Sequence, residues 1–173
     1  MRRTVLAMGL LLAAMINTVE AQLVVEITEG IKRRPIAIVP FAWEGNTPEM
    51  PTDVSSIIAA DLERSGRFRT IPEEDMLQKP TSGAEVDFDD WAILDVEAVV
   101  VGRVRQTAEN AYSVQFQLFD VYGRKQLVGY RIPASRGTMR RAAHRLADMI
   151  YEELTGIAGV FDTRVTYVTA EER

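Results

Sequence analysis

The sequence predicts an α/β domain: a mixed β-sheet with two main α-helices packed on it and shorter helices between the strands. Three observations carry that expectation. The near-continuous apolar run Pro35-Ile36-Ala37-Ile38-Val39-Pro40-Phe41 has the pattern of a strand buried on both faces. From Ala98 onward the apolar period becomes two, as in antiparallel strands with one face on a core. Two other stretches, one after Pro51 and one after Thr138, carry apolar residues at helical spacing. Strands mixed with helices in this order bury their apolar faces best as helices layered on a sheet.

Taken in order, Gln22 to Thr28 is β-branched and roughly alternating, so it reads as a strand near the amino terminus that either pairs with the sheet or hangs free. Glu29 to Arg34 is a polar turn into the run from Pro35 to Phe41. The first long helix has start signals at Pro51 and at Thr52 or Asp53. Its apolar face is Val54, Ile57, Ile58 and Leu62, and Gly66 is its stop. Phe68 to Ile71 is a short strand, and Pro72 with Glu73, Glu74 and Asp75 marks a short helix start. Lys79 to Val86 is a polar loop, followed by a short helix around Phe88, Trp91, Ala92 and Leu94. Ala98 to Gln106, Tyr112 to Val121 and Gln126 to Ile132 form a three-stranded meander with a turn at Tyr122-Gly123. Thr138 caps the second long helix, whose apolar face includes Met139, Ala142, Ala143, Leu146, Met149, Ile150 and Tyr151, and Gly156 ends it. A last strand-like alternation runs from Gly159 to Val168.

Ahead of this domain lies an address. Arg2 and Arg3 precede an apolar run from Val5 to Ile16, and Val19-Glu20-Ala21 offers small residues at the −3 and −1 positions of a cleavage site. That is the pattern of a secretory signal peptide over residues 1–21. A membrane span needs about 20 apolar residues, and this run is too short for one. The residues after the arginine pair match a twin-arginine motif poorly. Removing the signal takes away two arginines and one glutamate, so the net charge moves from −5 to −6. Cysteine is absent, which excludes a disulfide framework, a thiolate metal site and a thiol nucleophile. An acidic exported chain also argues against nucleic-acid binding, and Arg140, Arg141 and Arg145 are too few to make a basic patch.

Catalytic chemistry finds little support. His144 is the only histidine; it stands among three arginines, where cations lower a histidine pKa and weaken metal binding. The carboxylates Glu73, Glu74 and Asp75, and likewise Asp87, Asp89 and Asp90, lie at helix starts, where capping and the helix dipole account for them. Paired carboxylates in a cleft are what a glycosidase requires, and they leave a small secreted hydrolase as the alternative reading. Ser55-Ser56 lies within a helix, without a nucleophile elbow. No glycine-rich phosphate loop is present. Trp43 and Trp91 are expected in the core or at its rim. The residues therefore point to a non-catalytic interaction module with no cofactor and no metal.

Several blocks resemble the amino-terminal domain of the TolB family, the periplasmic component of the Tol-Pal cell-envelope system. They are Arg34 to Phe41 with Trp43, Asp61-Leu62-Glu63-Arg64-Ser65-Gly66-Arg67-Phe68, and Trp91 followed by Ala98-Val99-Val100-Val101-Gly102. The series continues with Ala143 to Asp148, Leu154-Thr155-Gly156 and Phe161 to Val168. The resemblance implies an α/β domain over residues 34–160, with residues 161–173 a terminal strand or the start of a six-bladed β-propeller. It also implies a periplasmic role in envelope integrity and cell division. Pal binding in the family belongs to the propeller, so it is not expected of a chain that stops at Arg173.

By position, the resemblance further implies that Gln22, Leu23, Val24, Val25, Glu26, Ile27, Thr28, Glu29, Gly30, Ile31, Lys32 and Arg33 form the mobile segment that engages the C-terminal domain of TolA. Leu23 to Thr28 would be the contacting strand. An extended β-branched peptide adds to an exposed sheet edge through main-chain hydrogen bonds, with alternate side chains giving specificity.

Overall fold

A computed structural model describes residues 32–163. The expected strand over Gln22 to Thr28, the signal peptide and residues 164–173 lie outside the described residues. The strands are β1 (Arg34–Ile38), β2 (Ala42–Glu44), β3 (Phe68–Thr70), β4 (Ala98–Ala108), β5 (Ala111–Asp120) and β6 (Lys125–Ser135). The helices are α1 (Val54–Arg64), α2 (Phe88–Ile93) and α3 (Met139–Thr155). The sheet runs β3-β1-β4-β5-β6, with β2 also paired to β4. β1 is parallel to β3 and β4, whereas β4, β5 and β6 form an antiparallel meander. The mixed α/β class follows as expected.

Two crossovers leave β1 and β3 in opposite lateral directions: β1 leads through α1 to β3 on one side, and β3 leads through α2 to β4 on the other. Right-handed crossovers then place α1 and α2 on opposite faces of the sheet. The cores bear this out. One face packs Ile36, Ile38, Val100, Val114, Phe116 and Leu118 against Ile58 and Leu62 of α1 and Leu146 and Ile150 of α3. The other packs Ala37, Val39, Val99, Val101 and Phe119 around Trp91 of α2. Both faces of β1 are therefore covered, which is why its sequence is apolar without alternation.

Several local expectations are corrected. The run from Pro35 to Phe41 is not one strand. β1 stops at Ile38, and β2 resumes along β4 with the register moved by one residue, because Pro40 interrupts the chain between them. Gly102 of β4 lies where Phe41 crosses; a Cβ there would fall 2.3 Å from the Phe41 ring. The helix expected after Pro72 is a single 3-10 turn, Glu73–Asp75, and the polar loop holds another at Gly83–Glu85. Asp53, not Thr52, caps α1, accepting from the Ser56 N–H at 3.0 Å. Thr138 stands at the cap position of α3, but its side chain does not cap that helix. It belongs to a capping box with Ser135 around the preceding turn, Arg136–Thr138, where the Ser135 N–H donates to Thr138 Oγ1 at 2.8 Å. α3 does end at Gly156, whose φ of +70° is the left-handed conformation that glycine tolerates best. Of the strand-like stretch from Gly159, the described part to Thr163 is irregular and turn.

Candidate interaction surfaces

The proposed partner-binding segment joins the domain at Arg34. Lys32 and Arg33 are exposed and precede the first strand; Gln22 to Ile31 lie outside the described residues. Arg34 opens β1 and is held twice. Its Nε donates to Glu97 at 2.7 Å and its Nη1 to the Leu154 carbonyl at 2.6 Å. That carbonyl is among the last of α3, where a cation also complements the helix dipole. A cleft of about 360 Å³ beside this anchor is lined by Arg34, Glu97, Asp120, Tyr122, Leu127 and Glu153.

The chain leaves the domain along the same helix. Past Gly156 it doubles back, and the Asp148 carboxylate accepts the Phe161 N–H at 2.7 Å and the Asp162 N–H at 3.1 Å. Arg141 donates to Asp162 at 3.1 Å. Phe161 stacks edge-on against Tyr151, which stacks edge-on against Phe68 of β3, with ring centroids 5.6 and 6.0 Å apart. Thus α3 fixes the residue that receives the amino-terminal segment and the residues from which the carboxyl-terminal stretch departs. Sequence reasoning did not find this arrangement. Its signal is Asp148 on the outer face of α3, a helix stop at Gly156, and Phe161-Asp162 shortly afterwards.

The histidine has a partner that the sequence did not reveal. His144 Nδ1 lies 2.5 Å from Oδ2 of Asp61, a carboxylate 1% exposed on α1, and Arg64 lies 3.4 Å from its other oxygen. The environment of His144 is therefore a carboxylate joining two helices, not only the arginines of its own helix. Of the remaining candidate carboxylates, Glu73, Asp87 and Asp89 are engaged by neighbouring groups. Asp87 caps α2 through the Asp89 N–H, Asp89 pairs with Arg124 at 2.6 Å, and Glu73 pairs with Lys79 at 2.6 Å. The Arg124 guanidinium holds the Asp89 carboxyl below the usual aspartate range. Trp43 and Trp91 are packing residues: Trp91 is fully buried, and half-buried Trp43 donates its indole N–H to the Thr47 carbonyl.

Among the described residues β3 pairs only with β1, β6 only with β5 and β2 only with β4. The longer edge, β6, carries Lys125, Arg131 and Pro133 and is broken by a register shift opposite Leu118 and Phe119. These are features that discourage edge-to-edge pairing. The far half of the sheet face opposite α1 is open and polar. There Glu44 bridges Arg103 at 3.2 Å and Arg105 at 2.5 Å, and the hydrogen bond from Arg105 holds the Glu44 carboxyl below its ordinary range.

The TolB amino-terminal domain model matches residues 23–127, which takes in all of the proposed binding segment except Gln22. The chain belongs to the TolB amino-terminal domain family. Among curated relatives, it is 47% identical over 153 residues to the Tol-Pal system protein TolB of Nitrosococcus oceani. That match covers 88% of this chain and 35% of the relative. It is 46% identical over 151 residues to the protein of the same name from Thioalkalivibrio sulfidiphilus, covering 87% of this chain and 35% of the relative. A crystal structure of TolB from Acinetobacter baumannii superposes with a TM-score of 0.62 at 30% identity, covering 74% of this chain and 30% of that one. The chain thus spans about a third of the length of these curated relatives. The family accounts for the quoted blocks: most of them build the sheet core, the Asp61–His144 contact or the Asp148 clasp.

Proposed function

We propose that this chain is a non-catalytic interaction module of the Tol-Pal system, working in the periplasm after removal of residues 1–21. Its segment Gln22 to Arg33 binds the C-terminal domain of TolA by strand addition. The observation that carries this reading is the family match starting at residue 23, immediately ahead of the doubly anchored Arg34. A segment rich in β-branched side chains that leads into an anchored residue is suited to completing a partner's sheet. Glu73 and Asp89 are each engaged in a surface ion pair and Asp87 in a helix cap, which favours a binding role over the hydrolase alternative.

Deletion of Gln22 to Arg33 should abolish binding to the TolA C-terminal domain in calorimetry while the circular dichroism of the domain is retained. Unchanged affinity after the deletion rules the reading out. Val25→Pro removes one main-chain donor and should weaken binding about tenfold with the fold intact, on the order of one lost ladder hydrogen bond.

A further inference from the structure

We propose that the crevice at the carboxyl ends of β1 and β3 binds an extended peptide segment of a partner protein in which a lysine or arginine is flanked by aliphatic side chains. The crevice arises from the topology. β1 sends its chain to the face that carries α1, while neighbouring β3 sends its chain to the opposite face, so the connections diverge and leave a cleft between them. In open sheets with parallel strands this switch point is where ligands bind. Here it encloses about 510 Å³.

Main-chain groups face into it without partners among the described residues. In the β1–β3 ladder Ile36 stands opposite Thr70, the Arg34 N–H bonds to the Arg67 carbonyl, and the Ile71 N–H bonds to the Ile36 carbonyl. The alternation of a parallel ladder directs the N–H and C=O of Ile38 to the same side. β3 has turned away at Pro72 by then, and among the described residues no backbone group pairs with Ile38 on that side. On the opposite side the ladder continues, with the Val39 N–H bonding to the Val100 carbonyl. Ile38 is only 5% exposed, so its unmet donor and acceptor are recessed in the crevice. An extended peptide supplies a carbonyl and an N–H at the spacing of one strand residue, continuing the pairing where β3 leaves off.

The walls define the side chains that such a peptide carries. Ile38, Phe41, Ile71 and Pro72 make an apolar floor, and Met50 and Met76 flank it with adaptable thioethers. Glu49, Asp53 and Glu73 bring carboxylates to the lining, and no lysine or arginine lines it. Lys79 pairs with Glu73 and offsets its charge, whereas Asp53 is held by hydrogen bonds from Ser55 and Ser56, so Asp53 and Glu49 carry the negative charge of the lining. Burial alone would push the Asp53 carboxyl up, but these hydrogen bonds outweigh it and keep the group below its ordinary value, hence ionised near neutral pH. Apolar contact on the floor with negative charge around it selects a cationic residue between aliphatic ones. The crevice lies at the opposite end of β1 from Arg34 and none of its lining residues belongs to the segment Gln22 to Arg33, so the proposal does not depend on the TolA reading.

The test uses the isotope-labelled chain from Gln22 to Arg173, titrated with the probe acetyl-Thr-Val-Lys-Val-Thr-amide and with its glutamate counterpart, while nuclear magnetic resonance follows the Ile38 amide and the Met50 and Met76 methyls. The lysine peptide should move these signals saturably, and the glutamate peptide should bind at least tenfold more weakly. The double substitution Glu49→Lys with Glu73→Lys should reduce affinity for the lysine peptide at least tenfold with an unchanged amide fingerprint elsewhere. Removing residues 22–33 should leave that affinity as it was, whatever it does to TolA binding. The proposal is overturned if the signals do not move up to millimolar peptide, if both peptides bind equally, if charge reversal has no effect, or if the deletion abolishes binding.

Discussion

The two faces of the sheet solve the same burial problem differently. One is covered along its length by α1 and α3, and its buried polar group, Asp61, is hydrogen-bonded across the helix pair to His144. Among the described residues the other is covered only in part, by the six-residue α2 and the loop before it, and its buried polar atom, Trp91 Nε1, has no acceptor there. The rest of that face is open and polar, with Glu44, Arg103 and Arg105 on it. Stability is concentrated on the helical-pair side, and the crevice opens at the boundary where the chain changes faces.

The largest expected effect is on the helical-pair side. Asp61→Ala leaves the His144 ring without its carboxylate partner and opens a void between α1 and α3. The cost should be about 3 kcal/mol, towards the lower end for a broken buried pair because His144 and Arg64 retain some access to water. Asp61→Asn keeps an acceptor in place and should cost about a third as much. Urea denaturation of the two variants measures both. Equal losses would mean that the whole effect lies in the charge of the carboxylate, because Asn preserves the side chain's volume and one acceptor oxygen.

On the opposite face the expectation is inverted. Trp91→Phe removes an indole N–H that has no protein acceptor, so part of the packing loss is offset. The net cost should be about 1.5 kcal/mol, against about 4 for Trp91→Ala, where the whole ring is lost from a fully buried site. A Phe variant as unstable as the Ala variant would show that the indole nitrogen is satisfied after all, by an ordered water.

How much of this was legible in the sequence follows from the range of the interactions. The periods of 2 and 3.6 are local, so β4, β5, β6, α1 and α3 could be read with boundaries shifted by a few residues. β2 could not, since three residues between Pro40 and Gly45 are too short for a period. The unbroken apolar run of β1 signalled burial on both faces, but not that Pro40 would divide it from β2. The contacts that organise the surfaces join distant positions: Asp61 with His144, Arg34 with Leu154, and Asp148 with Phe161. No pattern within a helix or strand announces which carboxylate meets which distant partner. The crevice was likewise hidden, because it exists only once β1 and β3 are neighbours and their chains diverge. The partner-binding segment came from family resemblance, and ten of its twelve residues lie outside the described residues.

The smallest effects separate the faces most finely, through their helix caps. The Asp53 carboxylate at the start of α1 accepts from the Ser56 N–H, the Ser56 hydroxyl and the Ser55 hydroxyl. Asp87 at the start of α2 accepts from the Asp89 N–H. Asp53→Ala should therefore cost about 1 kcal/mol and Asp87→Ala about half of that. The first loss should also depend on pH. The folded-state pKa of Asp53 lies below the ordinary 3.8, despite burial, because the hydrogen bonds favour the charged form. A depressed pKa means that the folded chain holds this proton more weakly than the unfolded one. The stabilisation is then complete above about pH 5 and fades as pH falls through 3.8 toward the folded value. Denaturation midpoints of wild type and Asp53→Ala should differ by a constant amount between pH 5 and 8, and the difference should narrow as pH falls below about 4. A gap that does not narrow at all as pH falls from 5 to 2 would mean that Asp53 caps α1 equally well as a neutral acid, and that its charge contributes nothing to holding the helix that walls the crevice.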